Sequence, residues 1–310
     1  MTVPKSRRKL SEFDGQIPLF WLKDYTDLGP PGSLHLTLKD EFGIKSVNLS
    51  VRQVAQTVES PSNASYGGFW GDFTKLGVAS IRSCLRELDN TFPNADLLSL
   101  VLPPSYIVNG SCMELQERIL KEVGFEAQVE DVCFFVECSS WTQMKMSHGN
   151  RKKLRQQSEA GVHFRPAKGN ELEIVYSIIE ANRLMHGTSP SLSLEQLKVQ
   201  IDLFPTKFKT FLGLLDDNPI VSGVVVETFP GVQYVLYWAD KDYARRFSPT
   251  TGLCEYLITR AKLDGARVLD LGGTFVNGVP NEGLARYKQN LGATATRKFR
   301  YTIKLREECT

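Results

Sequence analysis

The segment NEGLARYKQNLGA (281–293) sets Gly283, Arg286, Tyr287 and Lys288 within one short helix, just before the last strand pattern of the chain. Helical spacing puts Gly283 with Tyr287, and Leu284 with Lys288, on shared faces, while Leu284 and Leu291 form an apolar stripe. Lys288 therefore lies beside the packed face. A lysine there can snorkel to water. Gly283 would let a ligand approach the helix start closely.

Four more stretches carry residues of chemical interest. YWAD supplies Tyr237, Trp238 and Asp240: Asp240 or Tyr237 could relay a proton and Trp238 could line a pocket, although such residues also serve as core and turn. RRFSPTTG places Arg245 and Arg246 ahead of Ser248, Thr250, Thr251 and Gly252, a set able to hold phosphate at a helix N-terminus or simply to start a helix. Tyr66, Gly67, Gly68, Phe69 and Trp70 read either as an acceptor-binding loop that stacks on a sugar or base, or as a turn anchored by aromatics. Arg151 and Arg155, with Lys152 and Lys153, suit a diphosphate or an RNA backbone, or a solvated helix. Asp270, in RVLDLGG, falls in an apolar strand pattern, where a carboxylate is a hydrogen-bond hub or a site group.

The elements that must position these residues follow from periodicity. In the second half, a strand at 162–168 precedes two amphipathic helices (171–187 and 193–204) and three consecutive strands (209–216, 220–229 and 232–240). A helix then opens at Pro249 and closes at Gly265, followed by the strand 267–273, the helix of the opening segment and a final alternating strand. The first half shows strands at 33–40 and 44–51, a loop at 60–73, then helix, strand (95–103), helix and strand (129–138). LKEVGFEAQVEDVCFFVE and YKQNLGATATRKFRYTIK repeat the same helix–glycine–strand order. The pattern predicts an α/β chain with mixed sheets: an N-terminal domain over 1–145, a basic junction helix over 146–162 and a C-terminal domain over 163–310.

Whole-chain properties narrow the classes. At 310 residues, with 42% hydrophobic and 23% charged residues, the chain suits two globular domains. A net charge of +2 argues against a dedicated nucleic-acid coat, and DNA is not an expected partner. Six cysteines (Cys84, Cys112, Cys133, Cys138, Cys254 and Cys309) form no C-x-x-C pair, and with four histidines no metal site suggests itself. The basic N-terminal stretch lacks a signal-peptide core, and no apolar run spans a membrane, so the N-x-[ST] triplets at Asn48, Asn63 and Asn109 carry no glycosylation meaning and a cytoplasmic location is expected.

SPSNASYGGF, HGNRKKLRQQSEAGVHF, FSPTTGLCEYLITRAKLDGARVLDLGG and GLARYKQNLGA, in that order over most of the chain, resemble the tandem, Fem-type (FemAB-like) branch of the GNAT acyltransferase superfamily. The last segment is similar to the family's glycine-leucine, aromatic-lysine, phenylalanine/leucine-glycine signature. The resemblance implies two GNAT-like domains: a degenerate, acceptor-binding first one and a second that performs acyl transfer to an amine. It implies Lys288 as a cation near the leaving group or developing oxyanion, with Tyr287 as acid or packing residue. It further implies that the strand Val232–Ala239 splays from its neighbour and offers N–H groups to the acyl carbonyl. The expected donor is acetyl-CoA or another acyl-CoA, without a metal, and the expected acceptor is an amino sugar, possibly nucleotide-linked, or a similar cell-envelope precursor. On this reading the transferred group is not an aminoacyl group. Ser248 and Thr250 stand where the family's glycines are expected, which keeps aminoacyl-tRNA open as donor and tRNA as partner. A non-catalytic binding protein on a degenerate scaffold is the third alternative.

Overall fold

The computed structural model describes residues 18–39, 46–73, 76–108 and 110–306; the basic N-terminal stretch, Asn109 and Cys309 lie outside them. A 3-10 turn at Leu19–Trp21 and the short α1 (Lys23–Asp27) precede β1 (Ser33–Lys39), β2 (Ser46–Val54) and β3 (Thr57–Ser60). Next come α2 (Val78–Thr91), β4 (Leu97–Val101), α3 (Gly110–Val123) and β5 (Glu126–Glu137), and then α4 (His148–Glu159) in the junction. The second half holds β6 (His163–Pro166), α5 (Leu172–Met185), α6 (Leu194–Leu203), β7 (Phe208–Leu215), β8 (Asn218–Phe229), β9 (Val232–Asp240) and α7 (Pro249–Leu263). It closes with β10 (Val268–Gly273), the small hairpin β11 (Phe275–Val276) and β12 (Val279–Pro280), α8 (Glu282–Asn290) and β13 (Thr294–Lys304). Among the described residues no helix is long and apolar enough to cross a membrane.

Local chemistry accounts for several boundaries. Asp216 and Asp217 both take positive φ, 49° and 61°, in the two-residue turn joining β7 to β8, the backbone that matches the twist of a tight hairpin. Ser193 and Gln196 form a reciprocal capping box at the start of α6. Pro249 begins α7, where its missing N–H costs no helical bond. The short strand β3 lies outside the sequence expectation, because TVES has too few apolar positions to show a period.

Eleven strands form one sheet in the order β1-β2-β3-β4-β13-β5-β10-β9-β8-β7-β6. Its centre is an exchange. The last strand of the second half, β13, lies between β4 and β5, and the last strand of the first half, β5, lies between β13 and β10. All three of these pairings are antiparallel. Each half thus borrows the other's terminal strand to complete its ladder.

The β9–β10 pairing is parallel and short. It holds from Val232↔Val268 to Tyr234↔Asp270 and then stops, while β9 continues to Asp240 paired with β8 alone. The two strands therefore open a seam beyond Tyr234, and N–H groups on that side of β9 have no strand partner. A bulge accompanies the opening: Val224 faces Tyr237 and Val225 faces Val235, leaving Leu236 unpaired. The bulge inverts side-chain parity, so Tyr237 and Ala239 join the larger core that runs across both halves, whereas Val235 packs with Leu253, Leu257 and Leu269 in the second core.

Candidate active site

Lys288, on α8, is 2% exposed. It does not snorkel. Its Nζ donates to Gly272 O at 3.0 Å and Gly273 O at 2.6 Å, two successive carbonyls at the end of β10. An ammonium has three donors, so one remains for a ligand. Burial pulls its pKa down to about 8, opposed chiefly by the negative charge of Asp270. Asp270 is equally buried, and desolvation raises its carboxyl to about 6. Its Oδ1 accepts from Gly272 N at 2.8 Å. The Tyr106 hydroxyl lies close enough to favour the carboxylate but lacks the geometry of a formed bond.

The carbonyls reach Lys288 because β10 is irregular there. Register slips between Asp270 and Gly273, and Gly272 takes φ +76°, a backbone that only glycine adopts cheaply. A Cβ on Gly273 would fall inside the Asp131 carboxylate. That carboxylate is itself fixed, with Oδ1 accepting from Val132, Thr274 and Phe275 N–H at 2.7–2.9 Å. Glycine at 272 and 273 was visible in RVLDLGG, but its reason, a carboxylate from β5, was not.

A second group lies where α8 meets the open end of β9. The rings of Trp238 and Tyr287 meet edge to face at 5.9 Å. The Tyr287 hydroxyl and Thr251 Oγ1 are both buried without a hydrogen-bond partner, near Thr250 at the start of α7. Asp240 is 8% exposed; burial raises its carboxyl, against the pull of Arg245, whose Nε lies 3.7 Å from Oδ1. Asn182 of α5 donates to the same Oδ1 at 3.3 Å and to Asp240 O at 3.0 Å. Sequence periodicity gave Asn182 no role; it carries no signal beyond being a polar residue on an amphipathic helix.

The start of α7 differs from an anion cradle. Ser248 N–H bonds to Arg245 O, Thr251 N–H bonds to Ser248 O, and Pro249 has none, so two of the amides around the helix start are already engaged. Arg245 is held by Asp240, Asp242 and His186, and Arg246 stacks over Phe247 at 4.7 Å. Gly252 is buried against the junction helix: a Cβ there would overlap Gln157 Oε1 and lie 2.5 Å from Phe164 Cζ. The absence of a side chain at Gly252 thus lets α7 pack closely on Gln157 and Phe164. Gln157 in turn donates to Phe247 O and Ser248 O, both at 2.9 Å.

Three other expectations change. Tyr237 points to the face away from Trp238: its hydroxyl bonds Ser191 Oγ at 2.6 Å and Leu192 N–H at 3.0 Å, tying down the α5–α6 connection. The β9 bulge is the physical reason, and it removes Tyr237 from the proton relay. Tyr66, Gly67, Gly68, Phe69 and Trp70 are all buried, not an open acceptor loop. Gly67 N–H bonds Val101 O beyond the end of the β3–β4 ladder, Trp21 Nε1 donates to Gly68 O, and Tyr66 OH bonds Thr228 Oγ1, so this stretch fills the first half's counterpart of the seam. Arg151 is turned inward to Met144 O and Met146 O, whereas Arg155 stays exposed on α4.

Neither a protein-family model nor a curated protein sequence matches the chain. Solved structures match its fold. FemX superposes with a TM-score of 0.67 at 12% identity, over 92% of this chain and 91% of that one. The C-terminal domain of a putative lysylphosphatidylglycerol synthetase from Agrobacterium fabrum gives 0.59 at 10% identity, over 86% and 84%. A tandem GNAT protein from the clavulanic acid biosynthesis pathway gives 0.52 at 9% identity, over 89% and 85%. The chain therefore has a tandem GNAT-like fold of the kind seen in FemX: a large mixed sheet flanked by helices.

Proposed function

We propose that the chain is an acyltransferase that works in the β9–β10 seam of its second half and uses Lys288 as the cation at the reacting carbonyl. The observation that carries this reading is the buried ammonium itself, held by two carbonyls with one N–H to spare, beside strands that part after Tyr234. Transfer to an amine needs an acceptor for the amine proton, donors for the oxyanion and support for the leaving group. Asp240, its carboxyl raised by burial, takes the proton. Unpaired N–H groups of β9 beyond Tyr234 face the oxyanion. Lys288 supplies positive charge to the oxyanion or to the departing oxygen or sulfur, and the low-polarity surroundings make that charge count for more than it would in water.

The start of α7 favours an aminoacyl ester of tRNA as donor over acyl-CoA. A coenzyme A pyrophosphate needs a row of free amides or uncommitted cations at the helix start. Here the Ser248 and Thr251 amides and Arg245 are already bonded and Arg246 lies over Phe247, while the groups buried beside the helix start are the uncharged hydroxyls of Tyr287 and Thr251. Acyl-CoA is the second reading, favoured by a net charge of only +2, since RNA binding draws on basic surface. The acceptor we assign is an amine on a cell-envelope precursor, after the Fem-type resemblance. The expectation that aminoacyl groups are excluded is dropped.

Isothermal titration with acetyl-CoA, run alongside filter retention of charged tRNA, separates the donors. Retention of charged over uncharged tRNA without heat from acetyl-CoA is expected. Heat from acetyl-CoA alone transfers the proposal to the second donor. Binding of neither, with no acyl transfer to amino sugars or peptides from any donor, overturns the reading.

A further inference from the structure

We infer that Asp270 is the positioning residue of the Lys288 site: it folds Gly272 into the turn whose carbonyl holds the ammonium, and it keeps a buried negative charge beside it. One glycine links the two side chains. Asp270 Oδ1 accepts from Gly272 N–H at 2.8 Å, and Gly272 O accepts from Lys288 Nζ at 3.0 Å. The bond to the carboxylate fixes Gly272 at φ +76°, and that conformation swings successive carbonyls of Gly272 and Gly273 towards α8. A Cβ on Gly272 would come 3.4 Å from Tyr234 Cε2 and 3.9 Å from Lys288 Nζ.

A buried carboxylate is expensive unless it is paired and hydrogen-bonded. A strand on this pattern would be cheaper with an apolar residue at 270, as Leu98 and Leu100 are in β4. What the carboxylate offers is charge. The groups facing Lys288 are Asp270 on β10, Asp131 and Cys133 on β5, and Cys254 on α7. The cysteine thiols are held neutral by burial, Cys133 pushed up to about 12, so Asp270 is the main anion opposing the desolvation of Lys288. Asp270 in turn is faced by Tyr106, Tyr66 and Tyr234, all held neutral by burial, and by Lys298 on β13 and Lys288 on α8. Tyr66 and Tyr106 belong to the first half, so the site of the second half is closed by side chains of the first.

The inference bears on catalysis through the proposed role of Lys288, but its test needs no substrate and stands apart from that role. Protein labelled with 13C at lysine Cε, with the Lys288 signal assigned by its loss in Lys288→Met, reads the ammonium directly. In the unsubstituted protein the signal should titrate near pH 8, with a second, smaller inflection near pH 6 as Asp270 takes a proton. Asp270→Asn keeps an acceptor for Gly272 N–H but removes the charge. Its Lys288 should lose the lower inflection and titrate about one pH unit or more below the unsubstituted protein. An Asn variant with an unmoved Lys288 midpoint overturns the inference. Should that variant not fold, a single-step titration in the unsubstituted protein overturns it instead.

Discussion

An ammonium almost wholly withdrawn from water has to be held by something, and Lys288 is held by two carbonyls and by the negative charge of Asp270. The sign of its effect on stability follows from its lowered pKa. Between about 8 in the fold and 10.5 in the unfolded chain, the unfolded state binds more protons, so folding is favoured as pH rises through that window, and the penalty of the buried charge is fully present below pH 8. Lys288→Met keeps the volume and removes the charge. Measured by urea unfolding, the stability of the parent relative to Lys288→Met should therefore rise from pH 8 to pH 10; a flat difference would mean that Lys288 is not titrating in the fold. Turnover tells the opposite story. Loss of the cation should lower kcat at least about tenfold, about 1.4 kcal/mol of barrier, with the circular dichroism unchanged. In the parent, kcat/KM should fall above pH 8 as the ammonium deprotonates. A rate that rises through pH 8 would instead make Lys288 a base. The sequence placed Lys288 beside an apolar stripe and left its fate open, because helical spacing names the face and not what lies above it. Asp270 was legible as a buried carboxylate, yet the glycine that joins it to Lys288 depends on a slip in β10 register that no residue pattern announces.

At the scale of elements, α4 and α7 depend on one another at a single point. Gln157 bonds the two carbonyls just ahead of α7, and Gly252 leaves room for its side chain and for Phe164. Gly252→Ala should therefore cost about 1–3 kcal/mol, as overpacking generally does, and lower the melting temperature by several degrees. A melting temperature equal to that of the parent would show that α4 can withdraw freely. Ala in place of Gly should on propensity alone favour the helix by about 1 kcal/mol, so the sign of the change decides between local and tertiary control. Periodicity found α7 and the junction helix, and the bland reading of SPTTG as an ordinary helix start describes most of its backbone. It could not find their contact, since Gln157 and Gly252 lie 95 positions apart and neither is apolar. The same limit applies to β9. VQYVLYWAD reads as a strand, but the bulge at Leu236 flips its parity, so Tyr237 and Trp238 cannot be assigned to faces by alternation. The burial of Tyr66 to Trp70 could not be read from the sequence, because aromatics next to glycines mark turns as readily as close packing.

Across the whole molecule, the order of helices and strands within each half was legible, and the likeness of the two halves was visible in their repeated helix–glycine–strand ends. Their exchange was not. β5 and β13 have equivalent neighbours in sequence, so nothing local says which half each completes. The exchange has a thermodynamic consequence. Two domains joined by a linker alone would unfold separately, but here β13 bonds β4 through Arg300↔Val101 to Lys304↔Leu97, and β5 through Thr294↔Phe135 to Thr302↔Glu126. Removing it leaves β4 and β5 each with an open edge in the middle of the sheet, and an unpaired buried edge costs its hydrogen bonds as well as its packing. Arg300 adds a tie across three strands, bidentate to Glu130 at 2.7 and 2.9 Å and bonded to Ser99 Oγ at 2.7 Å. Calorimetry of the full chain should thus show one transition, with van't Hoff and calorimetric enthalpies in a ratio of about 1. A chain ended after Asn290 should fail to give a cooperative transition in either half, although it keeps every helix and all strands but one. If that shortened chain, or the full one, melts in two separable steps, the halves are independent and the closure of the Lys288 site by Tyr66 and Tyr106 is a contact between neighbours, not a condition of folding.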